Sequence, residues 1–167
     1  MAAVHDPVKS GSEPDFALQI QVERLHARYA HALDADRLEE WPDFFTENGR
    51  YRIATAENEE RGLPLPVLYA EGRAMLRDRV QSLRHANIYE PQRYRHMVSA
   101  VLVERESAGI VKSTANFLVV RVMQDGATMV FASGRYLDRI AVPQMLYEER
   151  VVVCDSRRFD TLLAIPL

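Results

Sequence analysis

The segment from Leu33 to Ile53, Leu-Asp-Ala-Asp-Arg-Leu-Glu-Glu-Trp-Pro-Asp-Phe-Phe-Thr-Glu-Asn-Gly-Arg-Tyr-Arg-Ile, constrains the fold more than any other stretch of the chain. Its first residues close a helical stripe, its middle holds a Trp-Phe-Phe cluster that must be buried, and its end enters a strand. Upstream, Leu18, Val22, Leu25, Tyr29 and Leu33 recur at spacings of four, three, four and four, one face of a helix that begins at Phe16. After a break at Asp34 to Asp36, the residues Leu38, Trp41, Phe44 and Phe45 predict a short second helical turn, with Pro42 tolerated in its first turn. Arg50 to Ala54 is the first strand expected. That order suggests a cone, a helix lying in the mouth of a curved sheet.

A polar loop with Gly62, Pro64 and Pro66 follows. The spacing then predicts a helix from about Glu71 to His85, with Met75, Leu76, Val80 and Leu83 inward and Arg73, Arg77 and Arg84 largely outside. Beyond Pro91 the character changes. Tyr94 to Arg105, Ile110 to Gln124, Ala127 to Ile140 and Met145 to Asp155 are β-branched and aromatic, separated by Ser107-Ala108-Gly109, Asp125-Gly126 and Pro143-Gln144. Asp-Gly between two such runs is a strong hairpin signal. The four runs predict an antiparallel meander long enough to curl around a helix, and helices first with strands later give an α+β class. Residues 1–15 read as a mobile N-terminal arm and residues 16–167 as a single domain, large enough to bury roughly 70% of its unfolded surface. The end of the chain, Thr161 to Leu167, is apolar and should dock in the cone or against another subunit.

A formal net charge of -3 and a pI near 6.0 argue against an electrostatic grip on nucleic acid. Only Lys9 and Lys112 are lysines among 21 basic residues, and arginine is the cation favoured in protein interfaces. Cys154 is alone, so no intrachain disulfide forms. Its neighbours Val151 to Val153 predict a buried, inert thiol, and the pattern fits a reducing cytoplasm. Neither a signal peptide nor a run of ~18 apolar residues is visible, so a soluble, cytoplasmic chain is expected, with no membrane partner.

The most suggestive polar set is Tyr29, Asp34 and His96. Tyr29 belongs to the helical stripe, Asp34 ends it, and His96 alternates with Tyr94, Val98, Ala100 and Leu102, a strand face expected to point into the cone. Together they could form a general base poised near neutral pH. The same residues also fit a satisfied core histidine, a packing phenol and a helix-end carboxylate. Metal binding has less support. His26 and His31 stand roughly 140° apart around a helix, His85 and His96 fall on different elements, and no Cys-x-x-Cys or His-Glu-x-x-His run occurs. One cysteine cannot supply a Rieske cluster, which needs two. Glycine-rich phosphate loops and Gly-x-Ser-x-Gly elbows are missing as well. The run Arg93-Tyr94-Arg95-His96 is too short and isolated for RNA binding.

Several segments resemble one family. Glu40-Trp41-Pro42-Asp43-Phe44-Phe45-Thr46, Leu83-Arg84-His85-Ala86-Asn87-Ile88-Tyr89-Glu90, Arg93-Tyr94-Arg95-His96, Phe131-Ala132-Ser133-Gly134-Arg135-Tyr136-Leu137-Asp138 and Val153-Cys154-Asp155-Ser156 are similar to the small (β) subunits of aromatic-ring-hydroxylating dioxygenases. The similarity runs over nearly everything after Gln19 and looks most like the terephthalate 1,2-dioxygenase type, with benzoate, anthranilate and salicylate oxygenase types as wider relatives. The resemblance implies a cone-shaped curved antiparallel sheet around N-terminal helices, of the nuclear-transport-factor-2-like and scytalone dehydratase-like group. It further implies assembly with a Rieske-type α subunit, commonly as α3β3 with β-β contacts. That α subunit would hold the Rieske [2Fe-2S] cluster, the mononuclear iron and the substrate pocket, leaving no cofactor, metal or catalytic residue on this chain. The alternative is a free-standing cone-fold dehydratase or isomerase using Tyr29, Asp34 and His96.

Overall fold

The computed structural model describes residues 15–63, 65–85, 90–157 and 165–167. Most of the expected arm therefore lies outside the described residues, as do Ala86 to Tyr89 and Thr161 to Ala164. Asp15, assigned to the arm from sequence, belongs to the fold. Its carboxylate accepts from the Leu18 N–H at 3.1 Å and pairs with Arg105 at 2.6 Å, capping helix α1, Phe16–Asp34. The apolar stripe of α1 is buried as its spacing requires, and His26 is buried beside it. The helix ends in a Schellman motif: Arg37 N–H donates to Ala32 O, Asp36 N–H donates to Leu33 O, and Asp36 takes the left-handed φ of 56°.

A 3₁₀ segment, Leu38–Phe44, then buries Leu38, Trp41 and Phe44. Phe45, expected in this turn, instead opens strand β1, Phe45–Thr55, which begins five residues before the predicted start. Two elements in the supposed loop went unforeseen, α2 (Ala56–Glu60) and β2 (Leu68–Glu71); each is too short to display a period. Helix α3, Gly72–His85, buries Leu76, Val80 and Leu83. Met75 was expected with them but is 48% exposed, because it sits about 100° around the helix from Leu76. The guanidinium of Arg84 clamps α3 to the end of α1 through Asp36 (2.9 Å) and Glu39 (2.8 Å).

Strands β3 (Gln92–Arg105), β4 (Ile110–Met123), β5 (Thr128–Ala141) and β6 (Leu146–Cys154) form the expected meander, with Asp125-Gly126 at the β4-β5 turn. The six strands run in the order β2-β1-β6-β5-β4-β3. The sheet is not wholly antiparallel as expected, since β1 pairs parallel to β6. After the three antiparallel turns of the meander β6 runs in the direction of β1 and pairs with it, a long-range pairing that local periodicity does not encode. Gly134 permits close packing of β5 on β6, because a Cβ there would collide with the Val153 carbonyl.

One register shift redirects a predicted face. Between Ser99 and Leu102 β3 carries an extra residue, with Ala100 at a φ of 52°. Such a bulge flips the side chains beyond it. Tyr94 and His96 point into the cone as expected, but Leu102 is 67% exposed and Val101 and Val103 pack inward in its place.

Candidate functional site

The three residues singled out from sequence do not form one cluster. Asp34, at the last turn of α1, reaches β3: its carboxylate accepts from the His96 backbone N–H at 3.0 Å and from the ring Nδ1 at 2.6 Å. Nδ1 therefore carries a proton, and Arg95 adds a longer contact to the same carboxylate at 3.5 Å. Beside this dyad a cleft of about 370 Å³ opens between α1 and β3, lined in part by Glu23, His31, Arg95 and Ser99. The imidazole of His96 does not open into it, since the side chain is 0% exposed and Nε2 has no partner among the described residues.

Tyr29 belongs elsewhere. Its hydroxyl donates to Leu167 O at 3.0 Å and accepts from Trp41 Nε1 at 3.0 Å. Tyr51 joins the same knot, donating to Leu167 O at 3.1 Å while accepting from Leu167 N–H at 3.0 Å. Leu167 is itself wholly buried, so the docking expected of the apolar end takes place inside the cone.

At the centre of the cone lies a cluster that sequence reasoning missed. Arg150, on β6, is completely buried and holds Asp138, on β5, through two hydrogen bonds of 2.9 and 2.8 Å. Three tyrosine rings surround its guanidinium: Tyr136 and Tyr147 at 4.1 Å and Tyr29 at 4.2 Å. Arg150 also donates to His26 Nδ1 at 2.8 Å, so His26 must carry its proton on Nε2, which faces Ser113 Oγ at 3.1 Å. Burial, followed by the adjacent Arg150 charge, drives the His26 pKa down to about 2. The ring is neutral, and its 3.8 Å approach to Asp138 is not an ion pair. Burial likewise raises the pKa of Tyr29, Tyr136 and Tyr147, keeping the phenols protonated.

The available signal for this cluster was alternation. Asp138 shares the inward face of Tyr136 and Ile140, and Arg150 that of Val152 and Cys154. An ionic residue on each of two buried faces implies a partner.

A family model described as the ring hydroxylating beta subunit matches residues 28–145. The β1 subunit of the terminal oxygenase component of terephthalate 1,2-dioxygenase from Comamonas sp is 40% identical over 151 residues, covering 89% of this chain and 98% of that protein. The small subunit of anthranilate 1,2-dioxygenase from Burkholderia cepacia is 40% identical over 155 residues, 92% of this chain and 96% of that one. Among solved structures, a β subunit assigned to an aromatic-ring-hydroxylating dioxygenase of Novosphingobium aromaticivorans superimposes with a TM-score of 0.83 at 32% identity, covering 91% and 98% of the two chains. The shared cone is the nuclear-transport-factor-2-like, scytalone dehydratase-like fold. By family match, near-complete coverage of its relatives and fold, this chain belongs to the β subunits of the aromatic-ring-hydroxylating dioxygenases.

Proposed function

We propose that this chain is an assembly subunit that carries no catalytic residue, in an oxygenase acting on an aromatic acid of the terephthalate or benzoate kind. The supporting observation is the filled interior. The inside of the cone is where its sheet could enclose a substrate, and there Arg150, its tyrosines and Leu167 pack against one another. In this reading the chain joins a Rieske-type large subunit in the cytoplasm, as α3β3 with contacts between β copies, and the partner holds the [2Fe-2S] cluster and the mononuclear iron. Donors among the described residues fit neither group. A Rieske centre takes two thiolates and two imidazoles, whereas Cys154 is the only cysteine of the sequence and burial pushes its thiol up to about 12. Among the described residues no three His, Cys, Asp or Glu side chains gather as a metal would require.

The dehydratase or isomerase alternative, built on Tyr29, Asp34 and His96, has one observation in its favour, the 2.6 Å Asp34-His96 contact. Against it, the Tyr29 phenol is bonded elsewhere and the imidazole is enclosed. Co-expression with the Rieske-type large subunit of the same genome tests the proposal. The expected result is co-purification, ring dihydroxylation by the complex, and an isolated chain without iron or visible absorbance. Stoichiometric iron on the isolated chain would overturn it.

A further inference from the structure

One wall of the cleft between α1 and β3 is bare backbone. β3 ends the sheet, so one of its two edges has no neighbouring strand. Helix α1 runs along that edge and bonds to it at two points: Asp34 accepts from the His96 N–H at 3.0 Å, and Gln19 Nε2 donates to the Val101 carbonyl at 2.8 Å. Backbone direction alternates along a strand, so Val98 turns its N–H and C=O to the same edge as His96. Among the described residues neither group has a partner on that side. Opposite them α1 presents Ala27 and Ala30, and the space left by these small side chains is the cleft of about 370 Å³. That is a volume suited to a small ligand. From His96 to Val101 the edge runs roughly 16 Å, room for three or four extended residues.

The two ends of this groove differ in charge. At the Val101 end Glu23 accepts from Gln19 Nε2 at 2.7 Å and, among the described residues, makes no ion pair. At the His96 end stands Arg95, 67% exposed, whose 3.5 Å contact with Asp34 leaves most of its donors in solvent. Asp34 is enclosed and committed to His96, so a ligand there meets the guanidinium. A strand added antiparallel to β3 begins at the Val101 end and finishes at the His96 end. Its amino end then lies beside Glu23 and its carboxyl end beside Arg95, whereas parallel addition would reverse both pairings. A helix laid over an edge can serve only to block strand addition. Such a cover has no use for small residues opposite the bare groups.

We propose that the cleft between α1 and β3 binds a free tri- or tetrapeptide with small side chains, added antiparallel to β3 through the Val98 backbone and held at its termini by Glu23 and Arg95. The site is independent of the assembly role, since this chain supplies all of it.

The test titrates tetra-alanine with free termini into the full, isotope-labelled chain and follows the Val98 amide resonance. The expected result is a saturable shift of that resonance with slower hydrogen exchange at Val98. N-acetylated tetra-alanine and the C-terminal amide should each bind about fivefold more weakly, and tetra-alanine methylated on its amide nitrogens should not bind. Glu23→Gln should abolish the preference for the free amine, and Arg95→Gln the preference for the free carboxylate. Ala27→Leu, a change at an exposed helix position that fills the groove, should remove binding without lowering the melting temperature. Absence of a saturable shift at Val98 overturns the proposal. So does equal binding of the methylated or end-blocked peptides, or unchanged binding by Ala27→Leu.

Discussion

Two buried sets in this molecule contain the same three residue types, an Asp, a His and an Arg, and use them in opposite ways. Deep in the cone, Arg150 is central: Asp138 balances its charge, and His26 serves as a neutral acceptor. At the cleft between α1 and β3, Asp34 is central: it gathers the His96 ring and backbone, while Arg95 extends largely into solvent. Burial decides the difference. Arg150 and Asp138 are both fully enclosed, so the charge needs its counter-charge outright, whereas Asp34, itself only 5% exposed, is held by its hydrogen bonds from His96 while its cation Arg95 stands largely in water. An Asp-His-Arg constellation is therefore no signature of catalysis by itself.

The comparison would fail first at Asp138. Asp138→Ala leaves the Arg150 charge unbalanced among tyrosine rings, with an expected cost of roughly 3–5 kcal/mol, enough to unfold a marginal domain. Arg150→Met combined with Asp138→Leu should regain most of that loss, because a well-packed apolar pair often replaces a buried ion pair without penalty. Urea titrations of the three chains measure it. A single variant as stable as wild type would show that the deep set is not governed by charge balance.

The cleft set should respond less. His96→Ala removes a ring and leaves the Asp34 carboxylate one hydrogen bond short, at a cost on the order of 1–3 kcal/mol. Under the assembly reading, turnover per assembled complex should stay near the wild-type value. A general base typically supplies ~10²–10⁴-fold, so a loss of that size in a fully assembled, equally stable complex would restore the dehydratase alternative. Melting temperature and turnover, read on the same preparation, separate the two.

How much of this was legible in the sequence follows from how local each feature is. The α1 stripe and the Asp125-Gly126 turn are written in consecutive residues and stand where expected. The identity of the β1 neighbour was not legible, because a parallel pairing with β6 joins residues about a hundred positions apart and leaves no period behind. The Ala100 bulge was equally hidden, since alternation predicts a face but not the extra residue that inverts it. Of the candidate site, Asp34 and His96 were placed together correctly because each ends or alternates on an element that could be drawn. Tyr29 was misassigned because helix periodicity says that a phenol is buried, not what its hydroxyl meets. His26 was set aside as a metal ligand that lacked partners, when it is a neighbour of the buried stripe whose partners lie on β4 and β6.

The deep set also predicts a pH dependence. Folded His26 stays neutral down to about pH 2, whereas an unfolded histidine takes up a proton near 6.5. Below ~6.5 the unfolded state thus binds more protons than the folded one, and stability falls as pH drops. His26 alone should contribute a slope that rises from about 0.7 kcal/mol per pH unit at pH 6.5 toward about 1.4 at pH 5. His26→Gln keeps an acceptor for Arg150 but cannot titrate, so its profile should be shallower than wild type by that amount. Equal slopes in denaturant titrations at pH 7, 6 and 5 would mean that His26 is charged in the fold.

The smallest effect sharpens the contrast most. Arg95 contacts Asp34 at 3.5 Å, yet its side chain is 67% exposed, so solvent screens the pair and Asp34 retains its two shorter bonds from His96 without it. Arg95→Ala should therefore change the stability of the isolated chain by no more than about 0.5 kcal/mol. Because an arginine can also cover apolar surface with its stem, Arg95→Gln provides the control, keeping length while removing charge. Both variants should melt together with wild type. If Arg95→Ala instead approached the cost of Asp138→Ala, the cleft set would be as dependent on charge balance as the deep one, and the distinction drawn from burial would not hold.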